Sequence, residues 1–230
     1  MRPPLRWILI GLSSAMLAAC VARAPSPVAP AGLQAPPEFP LAHYLDAWRR
    51  GQSVLLVDRR QSLVAIDVRR AGPLAGLGHD HVVASRDVQG YVLSAAGRAD
   101  LFIPLALLTV DEAALREESG MGKPPSQDAV EGTRRNMLDK VLEAERFPFA
   151  LVGIERQDGD VMRVSITLHG RTREFLSPSR IEHVPGKITV SGEMAIAQSA
   201  FGITPFAVLG GALQVQDKLA LRYRIVATQP

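Results

Sequence analysis

From Val54 onward, apolar and polar residues alternate with a period of two. In Val161–His169, Met162, Val164, Ile166 and Leu168 fall on one side, and Arg163, Ser165, Thr167 and His169 on the other. Ile188–Gln198 repeats the pattern, with Ile188, Val190, Met194 and Ile196 opposite Thr189, Ser191 and Glu193. So does the last run, where Leu219, Leu221, Tyr223 and Ile225 oppose Arg222 and Arg224. Successive side chains of a strand point to opposite faces, so this alternation predicts antiparallel sheet with one face on a core and one in water. Turn-forming residues separate the runs at Gln157-Asp158-Gly159-Asp160, Pro185-Gly186-Lys187 and Gln216-Asp217-Lys218. The spacing predicts about eight strands in an all-β fold, a sandwich or an up-and-down barrel.

One segment has a different period. Between Ser126 and Glu145, Met137, Leu138, Val141 and Leu142 form a stripe at helical spacing, opposite Arg134, Asp139, Lys140 and Glu143. Pro124-Pro125 precede it and Phe147-Pro148 end it. A single amphipathic helix in a β chain must lay its stripe on the sheet or plug a barrel mouth. The stripe therefore reads either as plain core or as a lid. Arg134 and Arg135 read as a solvated face, or as an anchor to an acidic headgroup or to a barrel-edge carboxylate such as Asp67 or Asp100. Asp111–Glu118 reads as a short surface helix without assignable chemistry. Residues 41–52, with His43, Tyr44, Leu45 and Trp48, read as a short helix or a docking strap.

The N-terminus carries an address. Arg2 and Arg6 precede an apolar stretch from Trp7 to Ala19, and Met16-Leu17-Ala18-Ala19 leads to Cys20, the only cysteine. A basic start, a short apolar run and small residues before a cut site describe a secretory signal over residues 1–19. The run falls short of the roughly 20 apolar residues of a membrane span. Leu17-Ala18-Ala19-Cys20 resembles the bacterial lipobox, which implies an acylated Cys20 and a lipoprotein held on a membrane in the periplasm. Val21-Ala22 lacks the aspartate associated with inner-membrane retention, so the resemblance favours the outer membrane. Val21 to Pro40, with prolines at 25, 27, 30, 36, 37 and 40, reads as an extended tether. The expected division is signal 1–19, lipidated tether and linker 20–52, and a barrel domain 53–230. Removal of the signal leaves 24 basic against 23 acidic residues. With no basic block, nothing suggests a nucleic-acid surface. A lipidated Cys20 leaves no thiol for a disulfide or a thiolate metal site.

Within the β region, several motifs occur in one order. Asp58 and Ser62 precede Val64-Ala65-Ile66; then come His79-Asp80-His81 and Gly90. Arg134-Arg135-Asn136-Met137-Leu138 leads to Phe147-Pro148-Phe149, followed by Leu168-His169-Gly170-Arg171-Thr172-Arg173, Gly192 and Phe201-Gly202-Ile203. From about Val57 to Val226 the chain resembles the YceI-like family of secreted, lipocalin-like barrels. Gln198 and Ala200 depart from it, standing where the family often has Arg and Asp. The resemblance implies an antiparallel barrel, with the helix covering or plugging it. It also implies an elongated apolar cavity for an isoprenoid, quinone or fatty-acid-like chain.

An eight-stranded barrel is either filled by side chains or left with room for one small ligand. Inward candidates are small or moderate: Val64 or Ala65, Val92, Val152 or Gly153, Gly192, Ala195 and Ala212. Aromatic residues make up only 5% of the chain, which favours a cavity over a plugged core. The expected ligand contacts are His79, His81, Val92, Met137, Leu138, Val141, Phe147, Phe149, Leu168, Ile196, Phe201, Leu221 and Tyr223. His79 and His81 share one face of an extended strand and so are also weak candidates for a metal, or else a structural pair bonded to backbone near Gly76–Gly78. A third ligand would have to come from His169 or His183. Ser85 and Ser199 show no nucleophile pattern, and no phosphate or dinucleotide fingerprint is present, so no enzyme activity is expected. The expected partners are a lipophilic small molecule and a membrane. Two rivals are an accessory module that docks a membrane partner and carries nothing, and a histidine-based metal or redox accessory protein.

Overall fold

The alternating segments close into an eight-stranded antiparallel barrel in the computed structural model, which describes residues 35–229. The first strand has two arms, Val54–Val57 and Leu63–Val68, and the second has two, His81–Ser85 and Gln89–Leu93. The third is Arg98–Pro104 with a short continuation, Thr109–Val110. Five uninterrupted strands follow: Phe149–Arg156, Val161–Leu168, Arg171–Val184, Lys187–Ala197 and Lys218–Thr228. Each pairs with its neighbour in the chain, and the eighth returns to both arms of the first, at Val57↔Ala227 and from Leu63↔Arg224 to Asp67↔Ala220. This is an up-and-down barrel, and closure pairs the first strand with the last.

The two-arm strands explain part of the motif order. Between the arms of the first strand, the Asp58 carboxylate accepts the Arg60 N–H at 2.9 Å and closes a turn. Ser62 Oγ then accepts the Val226 N–H at 3.0 Å, so the kinked strand stays tied to the eighth. Gly90 stands at φ 147°, and a Cβ there would lie 2.2 Å from the Asp100 carbonyl oxygen. Only glycine allows that approach. The sixth strand changes partners midway. Arg171–Pro178 pairs with the fifth strand and Ser179–Val184 with the seventh. Pro178 has no N–H to continue the ladder, and Phe201 packs near Phe175 beside the resulting seam.

The helices cover the barrel differently. Helix α1 (Leu41–Arg49) lies on the outer wall, with Phe39, Tyr44 and Ala47 buried against Tyr91, Leu93 and Phe102. Ala35, Pro36 and Phe39 thus already pack on the folded body, inside the segment expected as linker up to residue 52. Helix α2 (Ala113–Glu118) also lies outside, with Leu115 over Ala65, Val82 and Ala84. Helix α3 (Gln127–Asn136) starts at Ser126, whose hydroxyl accepts the Ala129 N–H, and continues as a π turn over Met137–Val141. Arg134 donates to the carbonyls of Leu108 and Ala106, so it anchors the helix to backbone rather than to the expected carboxylates. Asp67 is bound by Arg69, Arg222 and Ser119, and Asp100 by Tyr44 and Arg98. A small sheet of Arg70–Ala71, Ala207–Val208 and Leu213–Val215 forms a lobe at the same barrel end as α3. No helix among the described residues is long and apolar enough to cross a membrane. Cys20, the signal segment and the tether to residue 34 lie outside the described residues.

Candidate functional site

The barrel is hollow. A cavity of about 480 Å³ runs from the lobe and α3 at one end to Ser94, Arg98 and His183 at the other. Its wall follows the strand period. The first strand gives Val64, Ile66 and Val68, the fourth Ala150, Val152 and Ile154, and the fifth Met162, Val164, Ile166 and Leu168. The seventh and eighth add Val190, Met194, Ile196, Leu219, Leu221 and Ile225. The volume falls in the range of about 300–1,000 Å³ typical of small-molecule sites. Most of the large rings lie elsewhere: Phe39, Tyr44, Tyr91, Phe102 and Phe149 pack together outside the wall under α1. Tyr44 is pinned there by a 2.6 Å bond to Asp100, and burial together with that carboxylate pushes its phenol well above the ordinary range.

Mid-wall polarity is internally satisfied. Tyr223 reaches over Gly192, where a Cβ would meet its hydroxyl at 2.5 Å. Its Oη pairs with Ser177 Oγ at 2.9 Å and Ser179 Oγ at 2.7 Å. Gly192 is therefore the vacancy that lets a tyrosine lie flat inside the barrel.

Polar groups with other roles gather at the α3 end. His81 Nδ1 lies 2.7 Å from Asp111 Oδ2. Asp111 also accepts from Arg116 at 2.6 Å and from the Val82 N–H at 3.1 Å. Burial alone would raise the Asp111 carboxyl, but bonds from His81, Arg116 and Val82 together hold it below the ordinary range. Asp111 is thus a carboxylate, so His81 donates through Nδ1 and turns Nε2 toward Thr133 Oγ1, 3.5 Å away. Thr133, Asn136, His79 and His81 line the cavity here. Arg116 is itself buried, and also donates to the carbonyls of Asp80, Gly122 and Lys123.

The sequence-derived residues divide cleanly. His79, His81, Val92, Met137, Val141, Leu168, Ile196, Phe201, Leu221 and Tyr223 line the cavity. Leu138, Phe147 and Phe149 do not, and the expectation for them is corrected. Leu138 is half-buried on the flank of the π turn, away from the wall formed by Met137, Val141 and Leu142. Phe147 packs at a tilt against His169, with ring centroids 4.6 Å apart, beneath the Arg146 guanidinium. Phe149 points outward because Ala150, Val152 and Ile154 point in. Of the small inward candidates, Val64, Val92 and Val152 take cavity positions, Ala65 is buried under α2 and Ala195 is exposed. Ala212 sits in the lobe against Gly72.

The histidines do not form a cluster. The His79 and His81 rings are 6.4 Å apart, His169 bonds Glu143 at 3.0 Å, and His183 lies at the far end of the cavity. Among the described residues, no three His, Cys, Asp or Glu side chains converge as a metal site. Ser199 Oγ donates to Asp217 at 2.6 Å, and Ser85 Oγ accepts the Asp87 N–H at 3.2 Å.

The fold recurs in solved structures. A polyisoprenoid-binding domain from Saccharophagus degradans is similar over 76% of this chain and 98% of its own, with a TM-score of 0.56 and 12% identity. BcnA of Burkholderia cenocepacia is similar over 75% and 99%, with a TM-score of 0.50 and 17% identity. The chain shares their fold. This is the barrel implied by the YceI-like resemblance. No protein-family model matches the sequence, and no curated protein matches it.

Proposed function

We propose that the chain is a YceI-like binding protein that carries one elongated lipophilic molecule, of isoprenoid, quinone or fatty-acid type, in its barrel. The supporting observation is the lumen itself: a cavity of about 480 Å³ walled by aliphatic side chains, with the Tyr223 hydroxyl already satisfied by Ser177 and Ser179. Such a wall rewards length and dryness rather than catalysis, at about 0.8 kcal/mol for each buried methylene. With the mid-wall Tyr223 hydroxyl satisfied internally, the polar groups of the α3 end suit a chain with a polar head beside His81, Thr133 and Asn136. The Saccharophagus domain, which shares the fold, is described as polyisoprenoid-binding. In this reading Cys20 is acylated after export and tethers the barrel in the periplasm, on the outer membrane, and the protein stores, shields or transfers its ligand without chemistry.

Mass spectrometry of an organic extract of the purified protein tests the proposal. A chain molecule at near-stoichiometric level is expected. Its consistent absence overturns carriage in favour of an accessory module that docks a membrane partner.

A further inference from the structure

Four of the seven large apolar side chains exposed among the described residues gather on the small lobe. They are Leu74 and Leu77 on one segment and Val208 and Leu209 on the other, with Leu77 72% and Leu209 66% exposed. The segments are joined: the Leu74 N–H donates to the Ala212 carbonyl at 2.8 Å, above the three-stranded sheet. Single exposed leucines are ordinary, but a cluster at one site marks an interaction surface. Leu209 stands at φ 52°, a left-handed conformation that glycine or asparagine would occupy more easily. A leucine kept there, with its side chain in solvent, adds nothing to the packing of the lobe.

The other side of the lobe forms the cavity mouth, through Phe206, Leu213 and Val215. Apolar surface therefore extends from the solvent-facing tip into the lumen. Basic side chains flank the lobe itself, while the exposed acids of this barrel end, Asp128, Glu131, Asp139 and Glu145, belong to α3 and the turn that follows it. Arg171, Arg173 and Lys218, at the starts of the sixth and eighth strands, are exposed and enter no ion pair among the described residues. Nearby Asp80 is paired with Arg69 and Arg70, and Asp217 is held by Ser199.

We propose that this lobe is a membrane-docking lip: Leu77 and Leu209 enter the boundary between headgroups and acyl chains of a bilayer, the three cations face anionic headgroups, and the cavity opens onto lipid. A chain molecule could then pass between bilayer and barrel without crossing water. The lip extends the carrier reading, and its test separates the two.

In the full chain, Cys20→Ser removes the only thiol. Leu77→Cys, Leu209→Cys or Val184→Cys is then added singly and labelled with an environment-sensitive dye. Val184 is 56% exposed, at the opposite barrel end. Each protein is mixed with vesicles of phosphatidylethanolamine and phosphatidylglycerol, with or without brominated acyl chains. The expected result is blue-shifted emission, quenched about threefold by bromine, at positions 77 and 209 but not at 184. Quenching as strong at 184, or none at 77 and 209, overturns the lip. Bound lipid in the extract without such quenching overturns the lip alone; quenching with an empty barrel overturns carriage alone.

Discussion

Asp111 is a buried carboxylate to which His81, Arg116 and the Val82 N–H are all bonded. Removing Arg116 leaves the Asp111 charge with only His81 and the Val82 N–H. Arg116→Leu is expected to destabilise the fold by about 3–5 kcal/mol, read from urea unfolding, because the Asp111 charge stays buried without its main counter-charge. The sign of the pH dependence follows from the lowered Asp111 carboxyl. A group more acidic when folded contributes fully above its unfolded value, about 3.9, and loses that contribution as pH falls through the folded value. Acid unfolding of Asp111→Asn, followed by circular dichroism, should therefore show a shallower decline below about pH 4. At the barrel wall, Tyr223→Phe removes the hydroxyl that joins Ser177 and Ser179, and is expected to cost about 1–2 kcal/mol in the same assay. None of these partnerships was legible in the sequence. Residue 111 is thirty positions from residue 81, no periodic pattern links a loop to a strand start, and Asp111 adopts φ 60°, a conformation that propensity does not anticipate.

At the level of elements, strand number and the helix position were readable, but the facing of some strands was not. The stretch 162–168 has apolar residues on one side only, and its inward set is the one its pattern predicts. Phe149-Ala150-Leu151-Val152 is apolar on both sides, so a period of two cannot say which set points in. The reason is the extra layer: α1 lies on the outer wall and buries the Phe102 and Phe149 side of two neighbouring strands. This is why Phe149 was misplaced while Val152 was one of two open choices. The docking of α1 rests chiefly on Tyr44, which is 1% exposed and bonded to Asp100. Tyr44→Ala is expected to cost about 3–5 kcal/mol and to release α1 to proteolysis before the barrel unfolds. The π turn at Met137–Val141 is a comparable case. The stripe identified the helix, but only the widened turn decides that Met137 and Val141 reach the lumen and Leu138 does not.

At the scale of the whole molecule, the barrel and the lumen should respond separately. Val152→Trp places an indole in the cavity, and is expected to empty the barrel of extractable lipid while the circular dichroism of the fold persists. Conversely, a bound chain molecule stabilises only the folded state. Delipidated protein should melt at a lower temperature, and saturating lipid at a hundredfold over Kd should restore about 2.7 kcal/mol. The sequence foretold this hollow character through its shortage of aromatic residues and its modest inward side chains. It could not foretell the lobe, whose two halves, near residues 74 and 209, meet only once the barrel has brought the first and eighth strands together.

The partner exchange at Pro178 has a consequence for this architecture. Between Arg171–Ser177 and Glu193–Ala197 no backbone rungs join the adjacent staves, and Phe201, from the turn after the seventh strand, packs near Phe175 of the sixth. The width of the wall there is set by side-chain packing instead of hydrogen-bond spacing, so that stretch is where a bulky methyl-branched guest is expected to find room first.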